Sequence, residues 1–429
     1  MLTAGRMVRR REEKGIAVSL TIRYNAKEHL DLWARRGALG QSQARGEAEA
    51  LRKQLIDWRR DFHRHPELAF QEHRSAEIVA NALKELGYDI ETGVAGTGVV
   101  ALLRGAGPGP VVMARFDMDA LPVLEANETD YASQNQGVMH ACGHDGHMAI
   151  GLGVATLMAQ HRDAFAGTLK LVFQPGEEGG NGAELMVEEG VLENPRPDVV
   201  LVSHVWNEMP VGRVGVTEGA IMAAAERWRC TVRGRGGHGA MPHLAIDPIV
   251  AASDIVTSLQ TVVTRNVSPL ETAVVSVGSF HGGDAFNVIP DHVDLSGTIR
   301  TYDAKVREVV LRRVRELIER IATAHGASAD LEIEHLTPAV VNDPEVTRVV
   351  RAAAEALVGP ENVLSGERTM GSEDAAYFTR EVPGCYVFLG SANPERGLDA
   401  PHHNPRFDFD EDVLPIGVAL MVEAIQHYL

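Results

Sequence analysis

Short apolar runs alternate along this chain with longer amphipathic stretches, and that alternation limits the possible folds more than any other feature. Val99–Leu103, Val111–Arg115, Leu169–Phe173 and Val199–Ser203 are apolar at consecutive positions rather than at every second one. Strands buried on both faces read this way. Between them, Ser75–Leu86 sets Ile78, Val79, Ala82, Leu83 and Leu86 on one helical face and stops at Gly87, and Met148–Gln160 has the length of a helix. Strands alternating with helices and covered on both faces predict an α/β domain with a mostly parallel sheet. In such sheets ligands gather beyond the carboxyl ends of the strands. The polar residues just past these runs are Asp117 and Asp119, Glu177 and Glu178, and His204.

The alternation breaks between residues 226 and 338. A strand at Arg227–Val232, a helix at Pro248–Val263, strands at Thr272–Phe280 and Val293–Arg300, a long helix and a strand at Asp330–His335 form a β-α-β-β-α-β series. Asp303 can cap the long helix, Val306, Val309, Val310, Val314, Leu317, Ile318 and Ile321 form its buried stripe, and Gly326 ends it. This order predicts an inserted α+β domain of ferredoxin-like type, a four-stranded antiparallel sheet with two helices on one face. The α/β pattern resumes with a helix at Pro344–Leu357, a strand at Tyr386–Leu389 and a final helix. Residues 47–225 and 339–429 are thus expected to form the larger domain, with 226–338 inserted.

Residues 1–46 fit neither pattern. The run Gly15–Ile22 contains Ser19 and Thr21, stops at Arg23 and has no cleavage site behind it, so a poorly ordered or non-native extension is expected rather than a signal peptide. No apolar run reaches the ~18–20 residues of a membrane span. With 41 Lys and Arg against 59 Asp and Glu, the chain lacks the positive footprint that nucleic acid or an anionic membrane requires. The three cysteines, Cys142, Cys230 and Cys385, form no disulfide framework and fit the cytoplasm. Cys230 and Cys385 lie in apolar strand contexts and read as buried structural residues.

Eighteen histidines raise the question of where they cluster, because imidazole is the commonest metal ligand. The densest string is His140-Ala-Cys142-Gly-His144-Asp145-Gly-His147. Cys142 and His144, in a loop just before a helix, can face one metal ion while Gly143 lets the backbone turn between them; a surface histidine run is the alternative. In Gln174-Pro-Gly-Glu177-Glu178-Gly-Gly180, neighbouring carboxylates follow a strand. Such neighbours do not easily bind one ion from a regular element, so one is expected to bind metal and the other to handle protons. His204 ends a third strand at the same crevice, and either His402 or His403, in the rigid loop Pro401–Pro405, completes the set. Cys, His, Glu, His and His exceed what one tetrahedral ion with an open position accepts. They suit two divalent ions with a bridging hydroxide, zinc and manganese fitting equally.

Together these motifs resemble the di-metal peptidases of the aminoacylase/carboxypeptidase type, in the amidohydrolase branch of hippurate hydrolases and indoleacetyl-amino-acid hydrolases. The resemblance runs from about Ala48 and is carried by Arg59-Arg-Asp-Phe-His63-Arg-His-Pro66-Glu67-Leu, Arg115-Phe-Asp117-Met-Asp119-Ala-Leu-Pro122, Met139-His-Ala-Cys142-Gly-His144-Asp145, Phe173-Gln-Pro-Gly-Glu177-Glu178-Gly-Gly, Gly237-His238-Gly-Ala-Met-Pro242-His243 and Met370-Gly-Ser-Glu373-Asp374. It implies that Cys142, His144, Glu178, His204 and His403 bind the metals, that Glu177 is the general base, and that Asp119 orients a ligand from behind. It implies that His238 steadies the carbonyl oxygen and that Asn287 and Arg300 hold a substrate carboxylate. The insert is then a lid and dimerisation domain, and the protein a homodimer or homotetramer. The implied activity is hydrolysis of the amide bond of N-acyl-L-amino acids, hippurate-like or related conjugates. A dipeptidase, an N-acetyl-diaminopimelate deacetylase and a non-catalytic metal-dependent binding protein are the alternatives. One departure stands out: Ala375 occupies a position where the family has Phe, and is expected to reshape the substrate pocket.

Overall fold

The computed structural model describes residues 43–429. The chain begins with helices α1 (Arg52–Arg64) and α2 (His73–Glu85), then β1 (Asp89–Val94), β2 (Gly98–Arg104), β3 (Val111–Asp117), α3 (His144–Gln160), β4 (Thr168–Gln174), α4 (Gly182–Glu188), β5 (Val199–Pro210), β6 (Val214–Gly215) and β7 (Gly219–Met222). The interrupting segment holds β8 (Ala224–Arg233), β9 (Gly237–His238), α5 (Pro248–Asn266), β10 (Ala273–His281), β11 (Val288–Ile289), β12 (His292–Thr301), α6 (Ala304–Ala324) and β13 (Ser328–Thr337). The chain closes with β14 (Val340–Asn342), α7 (Pro344–Val358), β15 (Val363–Leu364), α8 (Ala376–Glu381), β16 (Gly384–Ala392) and α9 (Val413–Tyr428).

The larger sheet has eight strands in the order β1-β2-β4-β3-β5-β16-β6-β15. Its centre, β4-β3-β5-β16, is parallel. The β1–β2 pair is antiparallel, because a tight turn with positive φ at Ala95 and Gly96 joins the two strands and a parallel pair needs a crossover. Consecutive apolar residues in the central strands serve opposite faces. Val112, Ala114 and Phe116 enter the core cluster under α1, α2, α3 and α9, whereas Met113 enters the second cluster with Met186 and Phe378. On β5, Leu201 and Val202 divide in the same way. Helix α3 packs closely because Gly151 faces the sheet: a Cβ there would lie 2.8 Å from the Phe116 and Phe173 rings.

The second sheet is four-stranded and antiparallel, in the order β10-β12-β8-β13. Trp228, Cys230 and Val232 on β8 are buried with α5 and α6 in a third cluster, while Arg227, Arg229 and Arg233 are exposed. Asp247 and Asp303 cap the two helices through backbone N–H groups of their first turns. Cys230 and Cys385 are free and buried. Of the segment 1–46, residues 1–42, including Gly15–Ile22, lie outside the described residues. At 43–46 the chain is helical, Ala44 is buried, and Arg45 Nη1 donates to Leu357 O at 3.0 Å. Among the described residues no helix is long and apolar enough to cross a membrane.

Candidate metal centre

The carboxyl ends of β3, β4 and β5 and the start of α3 meet at one crevice. Gly143 precedes α3 with φ 96°, and a Cβ there would lie 2.3 Å from Val205 Cγ2, so only glycine lets Cys142 and His144 flank this turn. Cys142, His144 and Glu178 each offer a ligand atom within 4.8 Å of the others. Cys142 Sγ lies 3.6 Å from His204 Nε2, and His403 Nε2 lies 3.2 Å from Glu178 Oε1. Asp117, His144, His147 and His204 form a second, overlapping group.

Ring nitrogens assign the histidines. His204 Nδ1 lies 2.5 Å from Val205 O and His144 Nδ1 lies 2.9 Å from Asp119 O, so each carries its proton there and turns an Nε2 lone pair into the crevice. His147 is committed at both nitrogens, accepting from Val205 N at 2.9 Å and donating to Asp117 Oδ1 at 2.5 Å. His402 accepts at Nε2 from Asn207 N at 3.2 Å, which leaves its proton on Nδ1, 3.8 Å from Cys142 Sγ. His403, the exposed neighbour, is the one that faces Glu178.

Buried carboxylates shape the loop after β4. Asp119 accepts from Glu177 N at 3.0 Å and from Glu178 N at 2.9 Å, and its Oδ1 lies 3.3 Å from His144 Nδ1. Glu72 accepts from Gly176 N at 2.9 Å. At Gly182 a Cβ would lie 1.7 Å from Pro175 O, so the loop closes only on glycine. Behind α3, Arg59 is fully buried and donates to Asp145 at 2.8 Å and to Asp408 at 2.7 Å, while His63 Nδ1 lies 2.7 Å from Asp145.

The electrostatics favour a cation. Burial, then the carboxylates of Glu178, Glu177 and Asp117, push the Cys142 thiol well above its ordinary pKa, so a thiolate there needs a positive neighbour. Burial opposes charge on His144, yet Asp117 and Asp119 raise it to about 10, so that with no cation bound its Nε2, 3.5 Å from Asp117 Oδ2, would carry a second proton, which a bound cation would displace to free the lone pair. Burial and the surrounding carboxylates, led by Glu373 and Glu178, lift Glu177 well above the usual carboxylate range. His144 Nε2 is buried without a hydrogen-bond partner, while Glu178 Oε1 has the His403 ring nitrogen at 3.2 Å. An orphaned buried polar atom costs about 1–3 kcal/mol, a cost that a bound cation removes. Sulfur, imidazole and carboxylate donors fit a borderline divalent ion.

The structure does not bring every expected residue to this cluster. His238 is exposed on β9, with its Nδ1 accepting from Ala240 N at 3.1 Å. Asn287 is exposed nearby, its carbonyl accepting from Gly239 N, and both border a surface hollow of about 1000 Å³ on the insert. Arg300 is half-buried on β12 and donates to Thr298 Oγ1 and Ile299 O. Among the described residues no hydrogen bond or ion pair joins these three to the metal cluster. Ala375 is fully buried in the second hydrophobic cluster, so its small side chain faces core packing rather than an open pocket. The sequence reading missed the roles of Asp117 and His147, and of Arg115 with Gln174, Glu373 and Asp374, although each motif was visible.

Comparison with known proteins gives a consistent picture. Residues 113–427 match the model of peptidase family M20/M25/M40. The chain is 39% identical to the N-acetyl-L-cysteine deacetylase of Bacillus subtilis over 85% of each sequence. It is 38% identical to the IAA-amino acid hydrolase ILR1-like 4 of Arabidopsis thaliana, over 89% of this chain and 88% of that one. The crystal structure of the Bacillus subtilis YXEP protein, described as a dinuclear metal binding peptidase of the M20 family, superimposes with a TM-score of 0.77 at 33% identity, covering 89% of this chain and all of that one.

Proposed function

The chain belongs to peptidase family M20/M25/M40 and is a metal-dependent amide hydrolase, and on that premise we propose that its substrates are N-acyl-L-amino acids, hippurate-like or related conjugates. The observation that carries this reading is the convergence of Cys142, His144, Glu178 and His204 on one crevice, with His144 Nε2 buried and unpartnered among them and Glu177 beside them. The two named relatives take an acyl group off amino-acid nitrogen by their names, which supports the substrate class.

Cys142, His144, Glu178, His204 and His403 would hold two divalent cations, zinc or manganese. Bound there, such ions polarise a carbonyl oxygen and lower the pKa of water. Glu177, which the charge of bound cations would hold in its ionised form, takes the proton of the attacking water and passes it to the leaving amine, and Asp119 holds the loop through the backbone N–H groups of Glu177 and Glu178. We assign His238 to the carbonyl oxygen, and Asn287 and Arg300 to the substrate carboxylate, which a guanidinium grips in bidentate fashion. These three lie on the insert, which supports reading 226–338 as a lid and dimerisation domain on a body of 47–225 and 339–429. The exposed apolar side chains of Met241, Leu244, Phe286 and Val288 near His238 support a homodimer or homotetramer. Free cysteines favour the cytoplasm.

The test is a panel assay with Zn²⁺ or Mn²⁺ against hippurate, N-acetyl amino acids, indoleacetyl conjugates and dipeptides. Hydrolysis of the acyl amino acids in preference to the dipeptides is expected. Turnover confined to dipeptides contradicts the substrate class, and bound metal with no turnover on any substrate supports the binding-protein alternative.

A further inference from the structure

The Glu373-Asp374 pair belongs to none of the roles assigned above, yet both carboxylates are buried directly behind the metal cluster. Asp374 grips both ends of the loop that carries Glu177 and Glu178. At the end of β4, Gln174 Nε2 donates to its Oδ1 at 2.7 Å; at the start of α4, Ala183 N donates to its Oδ2 at 2.9 Å. Arg115, also buried, reaches Asp374 with Nη2 at 3.2 Å, Gln174 Oε1 with Nε at 2.7 Å and Asp117 Oδ2 with Nη1 at 2.7 Å. Glu373 receives Arg115 Nη2 at 2.8 Å, Ala375 N at 3.0 Å and the Tyr386 hydroxyl at 3.0 Å. Every contact to these two carboxylates comes from a donor. One oxygen of each also lies within 4.8 Å of a Glu177 carboxylate oxygen.

A buried ion cluster is an expensive way to hold a loop, since apolar packing does it without desolvating charge. What a carboxylate adds is a pair of acceptors that fix two donors at a set spacing, together with negative charge beside the base. We propose that Asp374 is the positioning residue for Glu177, held in place by Arg115 and Glu373. Through Arg115 and Asp117 the same network reaches His147 and Val205 N, and so ties the loop of Glu177 and Glu178 to the strand that carries His204. The inference rests on the reading of Glu177 as the base and Glu178 as a metal ligand.

Asp374→Asn preserves shape but sets an amide donor against Gln174 Nε2 or Ala183 N. In the metal-loaded full chain this variant should lose about 10²-fold in kcat, the scale of a ~1 Å misplacement, with KM changed less than about threefold. Competition with a chromophoric chelator should show metal bound roughly tenfold more weakly through the displaced Glu178. The reciprocal variant Gln174→Glu with Asp374→Asn restores the pairing between positions 174 and 374 and the charge beside Arg115, while leaving the new amide against Arg115 Nη2, and should recover kcat to within about tenfold of the parent. A kcat within twofold of the parent in Asp374→Asn overturns the proposal, as does a reciprocal variant that regains its melting temperature but not its kcat. If Asp374→Asn does not fold, Gln174→Met removes the tie at the end of β4 together with its contact to Arg115 Nε and leaves Ala183 N on Asp374; a ~10-fold loss of kcat supports the proposal and an unchanged kcat overturns it. Glu177→Gln, run alongside, separates the two readings: if it keeps full turnover the assignment of the base fails, while the chelator competition still reports on Asp374.

Discussion

Hydrogen bonding divides the four imidazoles of the crevice into two engaged at Nδ1 by backbone carbonyls and two engaged at Nε2 by backbone N–H groups. His144 and His204 give Nδ1 protons to backbone carbonyls and keep Nε2 open, whereas His147 and His402 accept at Nε2 and are closed to metal there. Glu177 stands apart from both kinds: among the described residues no hydrogen bond reaches its carboxylate, and burial with neighbouring acids lifts it above the usual carboxylate range, a shift that nearby cations would oppose. Its removal should therefore touch proton transfer and little else. Glu177→Gln is expected to lower turnover by ~10²–10⁴-fold with metal content unchanged by elemental analysis; near-normal turnover would refute the assignment. The spacing of Cys142 and His144 was legible in the sequence because both ligands fall within one turn of chain. Choosing between His402 and His403 was not legible from residues alone, because it depends on Asn207, 195 residues away. Arg115 was hidden for a related reason: it ends an apolar run, and nothing local shows that a buried strand residue will collect partners from Gln174 to Asp374.

At the scale of elements, what matters is how helices are fixed to the sheet so that strand ends keep their places. Arg59 on α1 is the main pin, joining Asp145 in the first turn of α3 to Asp408 just before α9. Burial opposes ionisation of Asp408, but Arg59 prevails and holds its carboxyl below the usual range; Asp145 is lowered in the same way. A carboxylate whose pKa is depressed on folding stabilises the fold above its unfolded pKa of about 3.9 and loses that contribution as pH falls through the folded value. Chemical denaturation should therefore show stability decreasing on acidification below about pH 4. Asp408→Asn should cost about 3 kcal/mol near neutrality and flatten that dependence; an acid slope equal to the parent's contradicts the account. Most of these elements could be read from the chain. Consecutive apolar runs gave the central strands, and capping by Asp303 with its buried stripe gave α6. The two-residue strands β6, β9, β11 and β15 are too short for any periodicity, and the antiparallel β1–β2 edge depends on a turn rather than on a pattern.

Considered as a whole, the molecule carries a formal charge of −18 and concentrates demand for positive charge at one crevice, as the proposed anionic substrates require. Its acids there, Asp117, Glu177, Glu178, Glu373 and Asp374, face one buried guanidinium, that of Arg115, a balance completed by bound cations. Net charge therefore said little about the chemistry, whereas the order of the motifs along the chain pointed to the family. The contacts proposed for His238, Asn287 and Arg300 belong to this scale too, since among the described residues no hydrogen bond or ion pair joins them to the cluster, and the proposed dimer is what would bring them there. The most direct measurement is native mass spectrometry of metal-stripped protein during stepwise addition of Zn²⁺ or Mn²⁺, with hydrolysis of an N-acyl amino acid read in the same samples. Full turnover is expected only when each chain holds two ions, in assemblies with an even number of chains. Full turnover by chains holding one ion, or none, would contradict the account.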